Sequence, residues 1–498
     1  MEDAQILTMQ VDNNALGAFI GYLLFIIGIG VYAARFSSLG ISNFFIGGRK
    51  MGMLVVALSA VVSGRSAWLL LGFTGMAYTM GLSALWAAAG YIVAEFFLFF
   101  YYAGRIRRFS ERMDCITIPD FFEERFGDKS GRLRLVVAII IILFMVAYVS
   151  AQFVAGGKTF SASFHLTHTQ GILLTATIIL FYTIVGGFLA VSLTDMIQGL
   201  IMIIALLVLP IIAIIHLGGL NAFYAEATAI EQDRFTYAFA LGAGALIGFL
   251  GIGLGSAGNP HIVARYMSIK SVSKLKTVAF VGTLANILMA FGALLTGIVG
   301  RIYFPDVGIL PGSDPENLYP TLAGEHLHPV MFGVVIASIF AAIMSTADSQ
   351  LLVAASALVR DIYEKLIFKG KEIQQTMLVK MSRIFVLLLV LVSLFLGFIA
   401  EELVFWLVLF AWAGLGAAFG PTTILALYWK GTTRNGVMAG IISGAATVII
   451  WNRIAFLKEM VYELVPAFII AFLVTLLVSW FTKKPTDGDR IYSQITDH

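Results

Sequence analysis

Thirteen apolar runs, each long enough to cross a bilayer, recur between Ala15 and Trp480. A spanning helix needs roughly 20 mostly apolar residues, and in lipid only a helix or a closed barrel satisfies its own backbone. Barrel strands would alternate and be about half as long, so the pattern predicts an all-α polytopic membrane protein. The runs fall at 15–34, 53–80, 83–103, 135–161, 169–190, 193–216, 236–256, 277–301, 329–357, 382–400, 403–427, 437–457 and 462–482. Only 12% of the residues are charged, about half the share of a soluble protein. The single Cys115 excludes an internal disulfide and suggests no metal cluster. The acidic start has no basic n-region, so the first run reads as a span rather than a leader.

Charge sorts between the two sides. One set of loops carries Arg35, Arg49 and Lys50, then the basic stretch Arg105–Arg134. It continues with Arg265–Lys276, Arg360–Arg383, Lys430 and Arg434, and the tail basics Lys483, Lys484 and Arg490. The opposite loops carry Glu226, Glu231, Asp233, Asp306, Asp314, Glu316, Glu401 and Glu402. The positive-inside rule puts the basic loops in the cytoplasm, the N-terminus outside and the C-terminus inside, as an odd number of spans requires. The expected setting is a plasma membrane, crossed many times. No stretch reads as a kinase, nucleotide-binding or nucleic-acid-binding module, and the absence of GxxxxGK[ST] argues against an ATP-driven pump.

Two spans are rich in small polar residues. In Ser59–Gly72, SAVVSGRSAWLLLG, Arg65 is the one charge. A guanidinium stays protonated, and a charge near the bilayer centre costs at least about 2.5–3.5 kcal/mol. Arg65 must therefore face protein or water and find a partner. The second stretch, GFLGIGLGSAGNPHIVARY from Gly248 to Tyr266, has repeated glycines, which weaken a helix, and an Asn-Pro exit. The two spans lie five apart, and interrupted spans at matching positions of two halves point to an inverted-repeat transporter site. The same glycines also suit close helix packing. In Ala341–Leu352, AAIMSTADSQLL, the Ser345 and Thr346 hydroxyls and the Asp348 carboxylate are oxygen ligands suited to a hard cation, or local bonds to helix carbonyls. Asp195, Asp348 and Arg49 are the candidates for ion coupling or pairing; Glu95 and Lys158 have no assigned role.

At these motifs the chain resembles the sodium:solute symporter family, and within it the bacterial sodium/proline symporters. The carriers are FIGGRKMG (Phe45–Gly52), SGRSAWLLLG, ITIPDFFEERFGDKSGRLR (Ile116–Arg134), GGFLAVSLTD, GNPHIVARYMS (Gly258–Ser268), AAIMSTADSQLLV, WAGLGAAFGP (Trp412–Pro421) and TRNGVMAGIISG (Thr433–Gly444). The resemblance implies thirteen spans with a five-plus-five inverted-repeat (LeuT-like) core and alternating access around a midplane site. A single transmembrane transporter domain, 1–482, then divides into an extra N-terminal helix and loop (15–52), a first repeat (53–216), a second repeat (236–427) and two C-terminal helices (437–482). A cytoplasmic tail follows at 483–498.

By the same resemblance, a sodium site would use the carbonyls of Val62, Arg65 and Ala342 and the hydroxyls of Ser345 and Thr346. The solute would meet Ser63, Gly64, Arg65, Ser66, Ala67 and Trp68 at the first break and Ile252, Ser256, Asn259 and Pro260 at the second. The chain departs from the family's pattern here. Gly64 stands in place of an aspartate and Arg65 in place of a methionine, and Ile252 and Ser256 replace two aromatics. The reading is a non-enzymatic secondary carrier for an amino acid such as proline or a related carboxylate. Its partners are a small solute and the lipid bilayer, with no nucleic acid or protein partner inferred. It needs no cofactor, and sodium is the candidate coupling ion.

Three roles for Arg65 follow. It could replace sodium beside Ser345, Thr346 and Asp348, giving a sodium-independent or proton-coupled carrier or exchanger. It could clamp a substrate carboxylate bidentately. It could form a structural ion pair with Asp348 or another acid. A solute-sensing membrane module is the more distant alternative.

Overall fold

The computed structural model describes residues 12–37, 40–230, 235–400, 403–483 and 488–496. Glu231, Asp233, Glu401, Glu402 and Lys484 lie outside them. Among the described residues the architecture is helical throughout, apart from an isolated bridge between Met51 and Ile269.

Among the described residues, ten helices are long and apolar enough to cross a membrane, or eleven if one bent pair counts as a span. This is fewer than the thirteen expected, and the difference lies at the breaks. The run 53–80 is split at Gly64, and its second half, Trp68–Met80, meets the next helix at a sharp turn on Gly81 (φ 57°, ψ −136°) with no loop between them, so the two together form one helical stretch, Trp68–Arg112. The run 169–190 is represented by the shorter apolar helix His168–Ile184. It joins Gly186–His216 across Gly187, whose φ of 63° breaks the helical path.

Burial shows which helices are central. Pro329–Ile367 and Val404–Tyr428 each bury 83% of their most apolar window inside the protein, against 28% for Asn13–Tyr32 and for Leu464–Phe481. The peripheral helices turn their apolar faces outward, as expected where lipid rather than water surrounds them.

Both expected breaks are present. The first core helix, Met53–Ser63, ends at Gly64, and Ser66 takes a left-handed φ of 49°. The chain resumes as the wider-wound turn Trp68–Phe73 and the helix Thr74–Met80. In the second repeat, Ala243–Gly251 tightens into the 3₁₀ segment Ile252–Ala257. Asn259 is extended, and Pro260 opens the helix Pro260–Ser268 with the axis turned by 48°. Proline at a first helical position costs no hydrogen bond, so the Asn-Pro exit is also a clean restart.

Glycine keeps the second break close-packed. A Cβ on Gly258 would lie 2.6 Å from Gly420 N and Leu415 O and 2.7 Å from Gly416 O, all backbone atoms. Gly258→Ala is expected to lower stability by about 1–3 kcal/mol, as overpacking does. Gly52→Ala, where a Cβ meets nothing within 4 Å, is expected to be neutral to about 0.5 kcal/mol. Thermal unfolding of the two variants in detergent checks the contrast.

Candidate functional site

The break at Gly64 leaves backbone groups to be satisfied inside the protein. Gly64 N and Arg65 N donate to the carbonyls of Val61 and Val62, each at 3.0 Å, tightening the last turn. Ala67 N donates to Gln152 Oε1 at 3.2 Å, and Trp68 N to Ser66 Oγ at 3.1 Å. Thr346 Oγ1 donates to Ser63 O at 3.1 Å, joining the break to the helix Pro329–Ser356.

The Arg65 side chain turns the other way. Its Nη2 pairs with Glu95, its Nε donates to Val61 O at 3.4 Å, and its Cζ lies 3.7 Å from the Tyr91 ring centroid. No contact joins it to Ser345, Thr346 or Asp348 among the described residues. Of the acids left open for an Arg65 pair, Asp348 or another, the partner is another one: Glu95, from Leu85–Phe97. Glu95 also accepts from Ser256 Oγ at 3.0 Å and from Asn286 Nδ2 at 2.8 Å. Its carboxylate thus meets three donors from three helices, which is what a buried charge requires.

Arg65 faces a narrow cavity with Gly64, Trp68, Tyr91, Tyr148, Ile252 and Trp412, closed by Val408 and Leu409. It has room for no more than about one water, so a solute can enter only after the walls part. The Trp68 indole N–H, at the cavity wall, has no hydrogen-bond acceptor. Arg65 and this N–H make the wall rich in donors, suited to an anionic group.

The other candidate solute contacts are placed elsewhere. Ser63 Oγ lies 3.2 Å from Asp195 Oδ2, Ser256 donates to Glu95, and Asn259 Nδ2 donates to Gly255 O at 2.8 Å. Pro260 lines a separate cavity with Phe45, Ile116 and Met267. Sequence reasoning missed Tyr91, Tyr148 and Trp412; only Trp412 lay in a motif already singled out.

Of the five candidate sodium ligands, Thr346 reaches the break, through its bond to Ser63 O, and the others make local bonds. Ser345 Oγ donates to Ala342 O at 3.1 Å, while Val62 O and Arg65 O accept from the backbone N–H of Arg65 and Leu69. A hydroxyl that donates to a carbonyl still has lone pairs for a cation. The bonds that Ser345 and Thr346 make to carbonyls are therefore compatible with ligation.

A second buried cluster lies on the far side of the first core helix. Arg265 donates to Asp195 Oδ2 at 3.1 Å, to Ser59 Oγ at 3.1 Å and to His261 O at 2.7 Å, and also meets Ser349 Oγ. Asp195 accepts from Ser59 at 2.6 Å, and Ser349 Oγ lies 3.3 Å from Asp348 Oδ1. Asp195 is thus one half of an ion pair. Asp348 Oδ2 and Asp195 Oδ1 have no hydrogen-bond partner. Arg49 takes no part: it pairs with Asp114 at 3.4 Å and donates to the carbonyls of Ser110 and Cys115, each at 2.7 Å.

Buried ion pairs lie toward both sets of loops. On the acidic-loop side, Lys158 holds Asp314 at 2.7 Å and Glu316 at 2.5 Å. Glu316 accepts from Val404 N and Phe405 N, and Phe405 stacks on Trp68 with ring centroids 5.5 Å apart. Burial pushes the Glu316 carboxyl above the usual range in spite of Lys158. On the basic-loop side, Arg134 joins Asp120, Glu123 and Asp361. Burial alone would raise the Asp120 pKa, but Arg360 and Arg134 hold it below the usual range.

A helical membrane protein with two interrupted helices meeting at a central, narrow cavity is a secondary transporter by architecture. Residues 44–444 match the sodium:solute symporter family model. The chain is 38% identical over 491 residues to a protein named sodium/proline symporter from Staphylococcus aureus strain JH9, covering 96% of this chain and 95% of that one. The chain belongs to the sodium:solute symporter family and is a transporter rather than an enzyme.

Among solved structures, a Na⁺-coupled sialic acid symporter in a substrate-bound outward-open state aligns with a TM-score of 0.80 at 18% identity, over 95% of this chain and 99% of that one. A nucleobase-cation-symport-1 family transporter in a closed conformation aligns with a TM-score of 0.51 at 12% identity, over 92% and 100%. At those identities they establish the fold, which is the LeuT-like one.

Proposed function

We propose that this protein is a sodium-coupled symporter that carries a small carboxylate-bearing solute, amino acids of about proline's size first, across a bacterial plasma membrane by alternating access. The observation that carries the reading is the split at the break. The Arg65 side chain turns toward Glu95 and the cavity, while Ser345 and Thr346 stay with the backbone of the opposite face. One face offers N–H donors to a carboxylate, from the Glu95-paired guanidinium and the Trp68 indole; the other supplies neutral oxygens for sodium.

The reading of Arg65 as a replacement for sodium would put the guanidinium beside those hydroxyls, and its contacts lie elsewhere. The name of the Staphylococcus aureus relative supports both sodium and an amino-acid solute. The trapped, nearly filled cavity fits an occluded stage, with the acidic loops outside and the basic loops in the cytoplasm.

Uptake into proteoliposomes tests this directly. Proline and other small amino acids are expected to accumulate under an inward sodium gradient. Replacing sodium with choline is expected to lower the initial rate at least about tenfold. Undiminished uptake in choline would sink the sodium coupling.

A further inference from the structure

The sodium ligands expected at the break include the carbonyl of Arg65 itself, so the guanidinium hangs from the same residue as a ligand of the ion. Like charges at that range repel strongly inside a protein. We infer that Glu95 cancels the charge of Arg65 and thereby keeps the neighbouring sodium site usable; the inference rests on the sodium-coupled reading above.

The geometry is specific. Glu95 is 3% exposed and Arg65 is 1% exposed, so solvent screens neither. Glu95 is the acid that pairs with Arg65 among the described residues. Asp195 and Asp348 belong to the Arg265 cluster, on other contacts. Ser256 and Asn286 fix both oxygens of Glu95, so the carboxylate is held against Arg65 rather than toward the ion. The chain has glycine at position 64, beside the arginine. The negative charge that faces the Arg65 guanidinium therefore comes from the helix Leu85–Phe97 instead of from the break's own side chains, while Asp195, near Ser63, is paired with Arg265. Glu95 is a positioning residue for ion coupling: it does not line the cavity and acts on the ion through the Arg65 side chain.

The test is sodium binding in purified protein, read as the half-saturating sodium concentration for thermal stabilisation in detergent. Glu95→Gln leaves an uncompensated guanidinium and is expected to raise that concentration about tenfold or more. Glu95→Asp keeps the charge and is expected to stay within about threefold of wild type. The double variant Arg65→Met with Glu95→Gln restores neutrality and is expected to return to within about threefold. A purely structural role predicts that the double variant is no better than Glu95→Gln, and that outcome overturns the inference. So does a Glu95→Gln value equal to wild type, which leaves the sodium-coupled reading intact. A wild-type protein that does not respond to sodium removes that reading and the inference with it.

Discussion

Replacing Arg65 with methionine is expected to reduce solute uptake to about 1% of wild type or less and to destabilise the protein. Both effects follow from Glu95. With the guanidinium gone, its carboxylate keeps Ser256 and Asn286 as donors but loses its opposite charge at a fully buried position. Breaking a buried pair on one side costs about 3–5 kcal/mol, more than the intact pair contributes. Uptake falls further because the cavity loses its one cation. Arg65→Lys keeps the charge on a flexible stem without the planar fork, so it is expected to retain most of the stability while raising the KM. The checks are initial uptake rates and thermal unfolding, measured on the same preparations. Undiminished transport by Arg65→Met would show that the arginine is a structural brace and not a solute ligand.

Much of the architecture was legible because the bilayer imposes it. A run such as Val404–Tyr428 has few alternatives to crossing as a helix, whatever surrounds it. The breaks were legible for a local reason. The Gly-rich Gly248–Gly258 stretch weakens the helix into a 3₁₀ turn, and the chain bends at the Asn259–Pro260 step that follows. The span count was harder to read. Local apolarity does not reveal that the helices on either side of Gly81 meet with no loop between them, or that the 53–80 run is two half-helices. The partner of Arg65 was harder still. Sequence placed Glu95 near a span, but its three donors come from helices separated by 30, 161 and 191 positions along the chain. Asp348 looked the better partner because it adjoins Ser345 and Thr346. In the fold its carboxylate lies with Ser349, in the Arg265 cluster. Aromatic residues such as Tyr91 and Tyr148 carry no positional signal alone; only packing makes them a cavity wall.

The Arg265 cluster allows a prediction in which the order of effects matters more than their size. Asp195 pairs with the Arg265 guanidinium, and the second buried carboxylate, Asp348, is linked to it through Ser349. Arg265→Met leaves both acids without a cation, and is expected to cost at least the roughly 3–5 kcal/mol of a one-sided break. Asp195→Asn is milder. Arg265 keeps Ser59 and the His261 carbonyl, and Asp348 still balances its charge. Asp348→Asn removes the surplus negative charge and leaves the Arg265–Asp195 pair whole, so it is expected to be neutral or stabilising. The amide also offers two N–H donors to a site where Asp195 Oδ1 has no donor now. Melting in detergent should therefore rank the variants Asp348→Asn highest, then Asp195→Asn, then Arg265→Met. If Asp348→Asn melts lowest, Asp348 is held by a bound cation rather than left in surplus, and the cluster would then be an ion site in its own right.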